Sequence, residues 1–452
     1  MEDPDDILAR LDSWMKFGST HGSEIELYYS ISEVAETTIE NNALKSSTYS
    51  QDRGLGIRVV LPQGKVGFVA FNQIQDDQRV KSRILQAIRL ARSSSENPFA
   101  SLPHPREVFL RPSGMGGIDP TAALDSAREV LSYVSSLDRR ISIDMGGAYM
   151  AAQLDAIVNS NGISVAEASE RAGWSVNCLA KDGSTVTPGS SAFDAIIGLK
   201  QPENFKLIDI MVSQLLDQLK ATKIGQDLPK NVEILLSPET FVDLELASLI
   251  SAMGGPAVLK KQSPLSREQL GSEIADETIT LVDDGKRPRT LGQTAFDREG
   301  IPPPKERRVI ERGKWQGMFH NQFSSREAGE PESTGHAAGS PWAPPSVGCY
   351  NLDVLIENSQ DYDEMIGGIR NGLVVNGIAH YADDISGEVQ GPIKNSYMIK
   401  NGQAFPVKEV SLSGNIYSGL MSVTGSKQKR AIRSSSQELS VPWVKISNFH
   451  LL

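Results

Sequence analysis

Peptide-bond chemistry needs either a protein nucleophile or a metal-activated water. A helical zinc site places two histidines about one turn apart, where their side chains share a face. The chain has six histidines, His21, His104, His320, His336, His380 and His450, and no two fall within one helical turn. The remaining metal option is a site assembled from distant positions such as His320, His336 and His380. Nucleophile patterns are equally sparse. Gly313 to Gly317 has the spacing of a Gly-x-Ser-x-Gly elbow but carries Trp315 at its centre. No phosphate-cradling glycine loop follows a strand and opens a helix, and Gly367-Gly368 lies in a helical pattern that it should end. Cys349, beside Tyr350 in a strand pattern, reads as a buried structural thiol. Asp283-Asp284-Gly285 reads as a turn and Pro302 to Pro304 as a stiff extended loop. The polar stretch from Gly329 to Pro345 has three readings: a flap, a disordered loop or a groove wall.

The elements that must position these residues fall into two halves. In the first, Asp5 to Phe17 shows the spacing of a one-faced helix, and Glu24 to Tyr29 alternates as a strand. A hairpin turning at Pro62 to Lys65 and a helix over Asp76 to Ser93 follow. The order then recurs: a helix over Asp119 to Leu137, strands at Ile141 to Tyr149 and Ala156 to Ser160, an Asn161-Gly162 turn, and a helix over Phe205 to Lys220. This predicts an internal duplication. Gln226 to Lys230 reads as a linker. Beyond it come a short buried strand, Val232 to Leu236, and a helix over Pro238 to Met253 capped near Ser237. From residue 275 onward, short alternating segments dominate, including Thr278 to Val282, Arg308 to Glu311, Trp315 to Asn321, Val347 to Leu355 and Gly372 to Ile378. Only Asp361 to Ile369 reads as helix there. The expected class is α+β in two domains: residues 1–225, helix and sheet, and residues 226–452, mostly antiparallel strand.

Composition narrows the function classes. The 452 residues carry 45 basic and 56 acidic side chains, a net charge of −11, which argues against nucleic acid as the main partner. The basic run Lys427 to Arg430 reads as a solvated loop. Two distant cysteines make no disulfide framework, and the acidic N-terminus is no secretory signal. No apolar stretch is long enough to span a bilayer, so the expected location is the cytoplasm.

Five segments in order carry a resemblance. They are Asp297-Arg298-Glu299-Gly300 with Val309 to Gly313 and Gly317 to Asn321; Ser325 to Gly329 with Ser333-Thr334-Gly335; Gly372 to Val375; Ser386-Gly387-Glu388 with Tyr397 to Gly402; and Phe405-Pro406-Val407 with Ser413 to Ile416. Together with Gly54 to Arg58 and Asn159 to Gly162, the chain resembles the TldD/TldE (PmbA) family. TldD-like members of that family carry zinc on a His-Glu-x-x-x-His helix. TldE-like members lack it and pair with a TldD-like chain. The corresponding segment here, Ser237 to Glu245, has no histidine. Glu239, Asp243 and Glu245 could bind a cation in principle, but carboxylates at a helix start also follow from its dipole.

The resemblance therefore implies a non-catalytic TldE-like subunit of a two-chain metallopeptidase acting on small or unfolded peptides. It implies no catalytic residue, metal ligand or cofactor in this chain, and zinc in the TldD-like partner. Substrate backbone would be held by strand-edge pairing, with Arg326 and Asn415 as groove candidates. The alternatives at this point are a metal-free peptide-binding or scaffold homodimer and an independent hydrolase with an unrecognised site.

Overall fold

The computed structural model describes residues 2–21, 23–109, 117–202, 204–224 and 232–452. The expected linker, Gln226 to Lys230, lies outside the described residues. The first half runs α1 (Pro4–Ser19), β1 (Glu24–Glu40), β2 (Ala43–Leu61), β3 (Lys65–Phe71), α2 (Asp77–Ser93), α3 (Pro120–Leu137), β4 (Ile141–Asn159), β5 (Ser164–Asp182), β6 (Thr185–Val186), β7 (Ser190–Ile197) and α4 (Lys206–Gln218). Helix, antiparallel strands, helix thus occurs twice, as the sequence predicts. Among the described residues these strands form one seven-stranded sheet, β3-β2-β1-β4-β5, with β6 and β7 both on β5. The two repeats join where β1 pairs antiparallel with β4.

The two strand segments expected at residues 141–149 and 156–160 are one strand. Gly146 and Gly147 permit the close approach on both sides: a Cβ at Gly147 would stand 2.3 Å from Thr37 O, and one at Gly146 2.6 Å from Ser175 O. Asp3, Asp76 and Asp119 each accept backbone N–H bonds at the start of α1, α2 and α3, as capping carboxylates should. The apolar faces of α1 and α2 pack on one part of the sheet, with Leu11, Trp14, Ile84 and Ile88 buried. Those of α3 and α4 pack on another, with Val130, Val134, Met211 and Leu215 buried.

The second half follows with β8 (Thr222–Lys223), β9 (Glu233–Leu236), α5 (Pro238–Phe241), a π-turn (Val242–Leu246), α6 (Ala247–Ala252), α7 (Gly255–Leu259), β10 (Ile279–Asp283), β11 (Arg307–Glu311), β12 (Lys314–Trp315) and α8 (Gln322–Ala328). Then come β13 (Ala337–Ala338), β14 (Ser346–Val347), β15 (Leu352–Ile356), α9 (Tyr362–Gly368), β16 (Asn371–Val375), β17 (Tyr381–Ala382), β18 (Glu388–Pro392), β19 (Ser396–Lys400), β20 (Gln403–Lys408), β21 (Ser411–Asn415), α10 (Ile416–Gly419), β22 (Val423–Arg433), β23 (Glu438–Ile446) and β24 (Phe449–Leu451). The central sheet runs β12-β11-β10-β15-β23-β9-β16-β19-β20-β8, with β22 on the far side of β23. The class is α+β and this region is mostly antiparallel strand, in line with the sequence pattern.

Several local expectations are corrected. The strand expected over Trp315 to Asn321 stops at Trp315, whose indole N–H curls back to Gly317 O. Asn321 instead caps α8 through Ser324 N, a short helix without the length to show a period. Val347 to Leu355 is not continuous, because Asp283 Oδ1 draws in the N–H groups of Tyr350 and Asn351 at 3.0 Å each. The run Lys427 to Arg430 is not a solvated loop. It lies in β22 with Lys427 on Asp361, Lys429 on Asp353 and Arg430 on Glu239. Within Gly329 to Pro345, Ser333, His336 and Ala337 are buried and β13 pairs with β14, so the middle of that stretch is packed.

Candidate functional site

The segment that follows β9 begins with Ser237, whose side chain accepts the Thr240 N–H, and Pro238, whose missing N–H is not needed in a first turn. After about one turn it widens into the π-turn before resuming as α6. One end of this segment faces a cleft of about 430 Å³ between the two sheets. Glu239 and Asp243 reach it from the helix, Asn376 and Gly377 from the end of β16, and Lys394 and Asn395 from the turn before β19.

Two strands complete the walls. Successive residues Gly189 to Phe193 and Arg430 to Arg433 all line the cleft, so β7 and β22 present their edges to it. Among the described residues β7 pairs only with β5, and the part of β22 along the cleft pairs only with β23, since its one further bridge, Ser426 to Gln360, lies before Arg430. The hairpin bond from Ser434 N to Gln437 O sets the alternation in β22, leaving the N–H and C=O of Ala431 and Arg433 turned away from β23. By the same rule, the Gly198 N to Glu170 O bond leaves Ser191 and Phe193 turned away from β5.

Side-chain pairing holds the cleft open. Arg433 bonds Asp194 at 2.6 Å and Glu438 at 2.8 Å, tying β22 to β7, while Arg430 bonds Glu239 at 2.5 Å. Asn376 Nδ2 donates to Asn395 O, and Asn395 Nδ2 donates to Gly189 O. Their Oδ1 atoms find no partner among the described residues. Burial raises the Asp243 carboxyl, with neighbouring His380 pulling it back and Glu239 adding to the rise.

The three histidines separate. His380 stands near Asp243. His320 and His336 come together around Thr334, which accepts the His320 N–H at 2.8 Å and lies 2.8 Å from His336 Nδ1. His336 Nε2 is 2.9 Å from Asp283 Oδ2. Burial lowers His320 to about 4, helped by Arg307 and His336, and burial also lowers His336 against the pull of Asp283. Both are satisfied core imidazoles. Cys349 is buried, and burial holds its thiol well above the ordinary value.

The helix carboxylates do not form a zinc site. Glu239 is committed to Arg430, Asp243 lies by the cleft, and Glu245 turns into the core against Gly419. Among the described residues, no group of three or more His, Cys, Asp or Glu side chains is placed to hold a metal ion.

Neither groove candidate lines this cleft. Arg326 is exposed on α8 and pairs with no described residue. Asn415 caps α10, accepting from Ser418 N and donating to Ser386 O and Glu388 Oε1, so its amide is used locally. The cleft residues Asn376, Asn395 and Ala431 carry no signal in the sequence, since two distant strand edges must meet before they matter.

Family models for the PmbA/TldA metallopeptidases match the chain three times: domain 1 at residues 25–95, the central domain at 116–221 and the C-terminal domain at 229–451. The chain belongs to this TldD/TldE (PmbA) family. It is 24% identical over 415 residues to the uncharacterized protein MJ0231 of Methanocaldococcus jannaschii, covering 90% of this chain and 92% of that protein. It is 22% identical to the metalloprotease TldD homolog of Buchnera aphidicola, covering 86% and 82%. The crystal structure of TldE from Thermococcus kodakarensis superposes with a TM-score of 0.85 at 22% identity, covering 98% of this chain and 99% of that one, which establishes the shared fold.

Proposed function

We propose that this chain is a TldE-like, non-catalytic subunit of a two-chain TldD/TldE metallopeptidase acting on small or unfolded peptides in the cytoplasm. Zinc belongs to the TldD-like partner. One observation carries the reading: the segment Ser237 to Glu245, in a chain matched by family models along most of its length, offers no histidine, and its three carboxylates diverge. No helix of the described residues is long and apolar enough to cross a membrane.

We read the chain as two domains, 1–225 and 226–452, with the cleft between them. In this reading the cleft takes substrate main chain. The outward N–H and C=O of Ala431, Arg433, Ser191 and Phe193 are the groups an added strand needs, and backbone pairing accepts many sequences. The groove candidates stay part of the proposal on separate footing: Arg326 is an exposed cation free to meet a ligand or partner, and Asn415 shapes the corner beside Glu388.

Elemental analysis after dialysis tests the zinc assignment. This chain should carry none, and its TldD-like counterpart about one per chain. Stoichiometric zinc in this chain would refute the reading. The competing one, a metal-free peptide-binding homodimer, draws on the same strand edges and differs in needing no counterpart.

A further inference from the structure

Glu245 lies in the π-turn, 0% exposed, and neither carboxyl oxygen has a hydrogen-bond partner in the described chain. Buried polar groups are almost always paired, so such an orphan calls for a cause. Its wall is the corner around α10. A Cβ on Gly419 would stand 3.1 Å from Glu245 Oε1 and 2.8 Å from the Phe449 ring, so only glycine leaves room for the acid.

Several bonds fasten this corner. Asn415 caps α10 and donates to Ser386 O, the Tyr417 hydroxyl donates to Asp384 O, and Ser248 from α6 donates to Asp384 Oδ1. Tyr417 on α10 is the titratable group that faces Glu245, with Asp383 and Asp384 in the turn before β18 beside that tyrosine, and Glu239 and Asp243 precede Glu245 on its own helical segment. Glu239 is neutralised by Arg430, and His380 sits by Asp243. No cation among the described residues bonds Glu245.

A carboxylate confined there carries a large desolvation cost, whereas the neutral acid costs far less. Burial accordingly pushes the Glu245 carboxyl well above its ordinary value. π-turns are rare, appear mostly as single-turn bulges within helices and are frequent at functional sites.

We propose that Glu245 is a proton-operated latch: neutral, it lets the π-turn seat on the α10 corner, and charged, it drives the two apart. The latch lies two residues beyond Asp243, so its release disturbs the helix that reaches the cleft.

Hydrogen exchange of the full chain tests this. For an acid whose folded value is raised, the stabilisation is complete at low pH and is lost as pH rises through the folded value. Between about pH 4.5, the ordinary carboxyl value, and about pH 10, after correction for intrinsic exchange, Val242–Leu246 and Asn415–Gly419 should lose protection at least roughly tenfold in the native chain. Glu245→Gln keeps the shape without the charge and should hold protection flat. Parallel loss in both chains overturns the latch. Should the variant not fold, infrared spectra of the native chain with carbon-13 glutamate decide. A protonated glutamate carbonyl band at neutral pH, distinct from the unlabelled buried Asp297, is expected, and its absence overturns the proposal.

Discussion

Arg58 Nη2 and Glu299 Oε1 meet at 2.8 Å in the seam where the loop after β10 packs on the first sheet, with the glutamate 0% exposed. The same guanidinium reaches Glu26, which also takes Arg298 at 3.2 Å, and Arg298 stacks 3.7 Å over the Tyr28 ring. Glu299 Oε2 accepts the N–H of Gln322, the first residue of α8. One carboxylate therefore joins β2 to the helix that carries Arg326. Beside it, burial and Glu299 raise Asp297 to about 7, against three backbone N–H bonds that favour its charge.

Removing one member of this buried network strands the others. Glu299→Ala should destabilise the chain by about 3–5 kcal/mol in urea unfolding, far beyond a surface ion pair. A loss below about 1 kcal/mol would show that the seam is not held there.

His320 makes a prediction at acid pH. Its value falls from the ordinary 6.5 to about 4 in the fold, so the unfolded chain takes the proton first. Stability is then present above about 6.5 and is lost as pH drops toward 4, by roughly 3 kcal/mol in total. His320→Gln should flatten that part of the stability curve measured by denaturant midpoints, while an unchanged slope would contradict the assignment.

The cleft is tested by Ala431→Pro. Proline removes an N–H that β23 does not use, so the ladder should survive and circular dichroism should be unchanged. Binding of a fluorescent extended peptide should weaken roughly tenfold, the equivalent of a hydrogen bond or two. Equal affinity would remove β22 from the binding surface.

Limited proteolysis distinguishes the parts of the 329–345 stretch. Cuts should fall at exposed Gly329–Glu332 and Gly339–Ser340, and spare buried Ser333, His336 and Ala337. Cleavage next to His336 in the native chain would contradict its packing.

Long elements were legible in the sequence because period and caps agree: α1, α2, α3 and the Asn161-Gly162 turn stand where the pattern puts them. Short helices such as α8 and α10 were not, since four to seven residues hold too little period and are fixed by Asn321 and Asn415 as caps. The absence of a paired-histidine helix was plain from spacing alone. The cleft was hidden, because Ala431 and Ser191 lie 240 positions apart and matter only as backbone edges. Arg430 looked like one charge in a basic run until the fold set it against Glu239.

The central claim is that this chain works as the metal-free half of a pair. The direct measurement mixes it with its TldD-like counterpart, follows the stoichiometry by size exclusion with light scattering, and assays peptide release from each chain and from the mixture. A stable 1:1 complex should form, with activity only in the mixture. That activity should vanish when the counterpart's zinc histidines are replaced, and survive alanine at His320, His336 or His380 here wherever the variant folds. Peptide cleavage by this chain alone, or no association at micromolar concentration, would contradict the account.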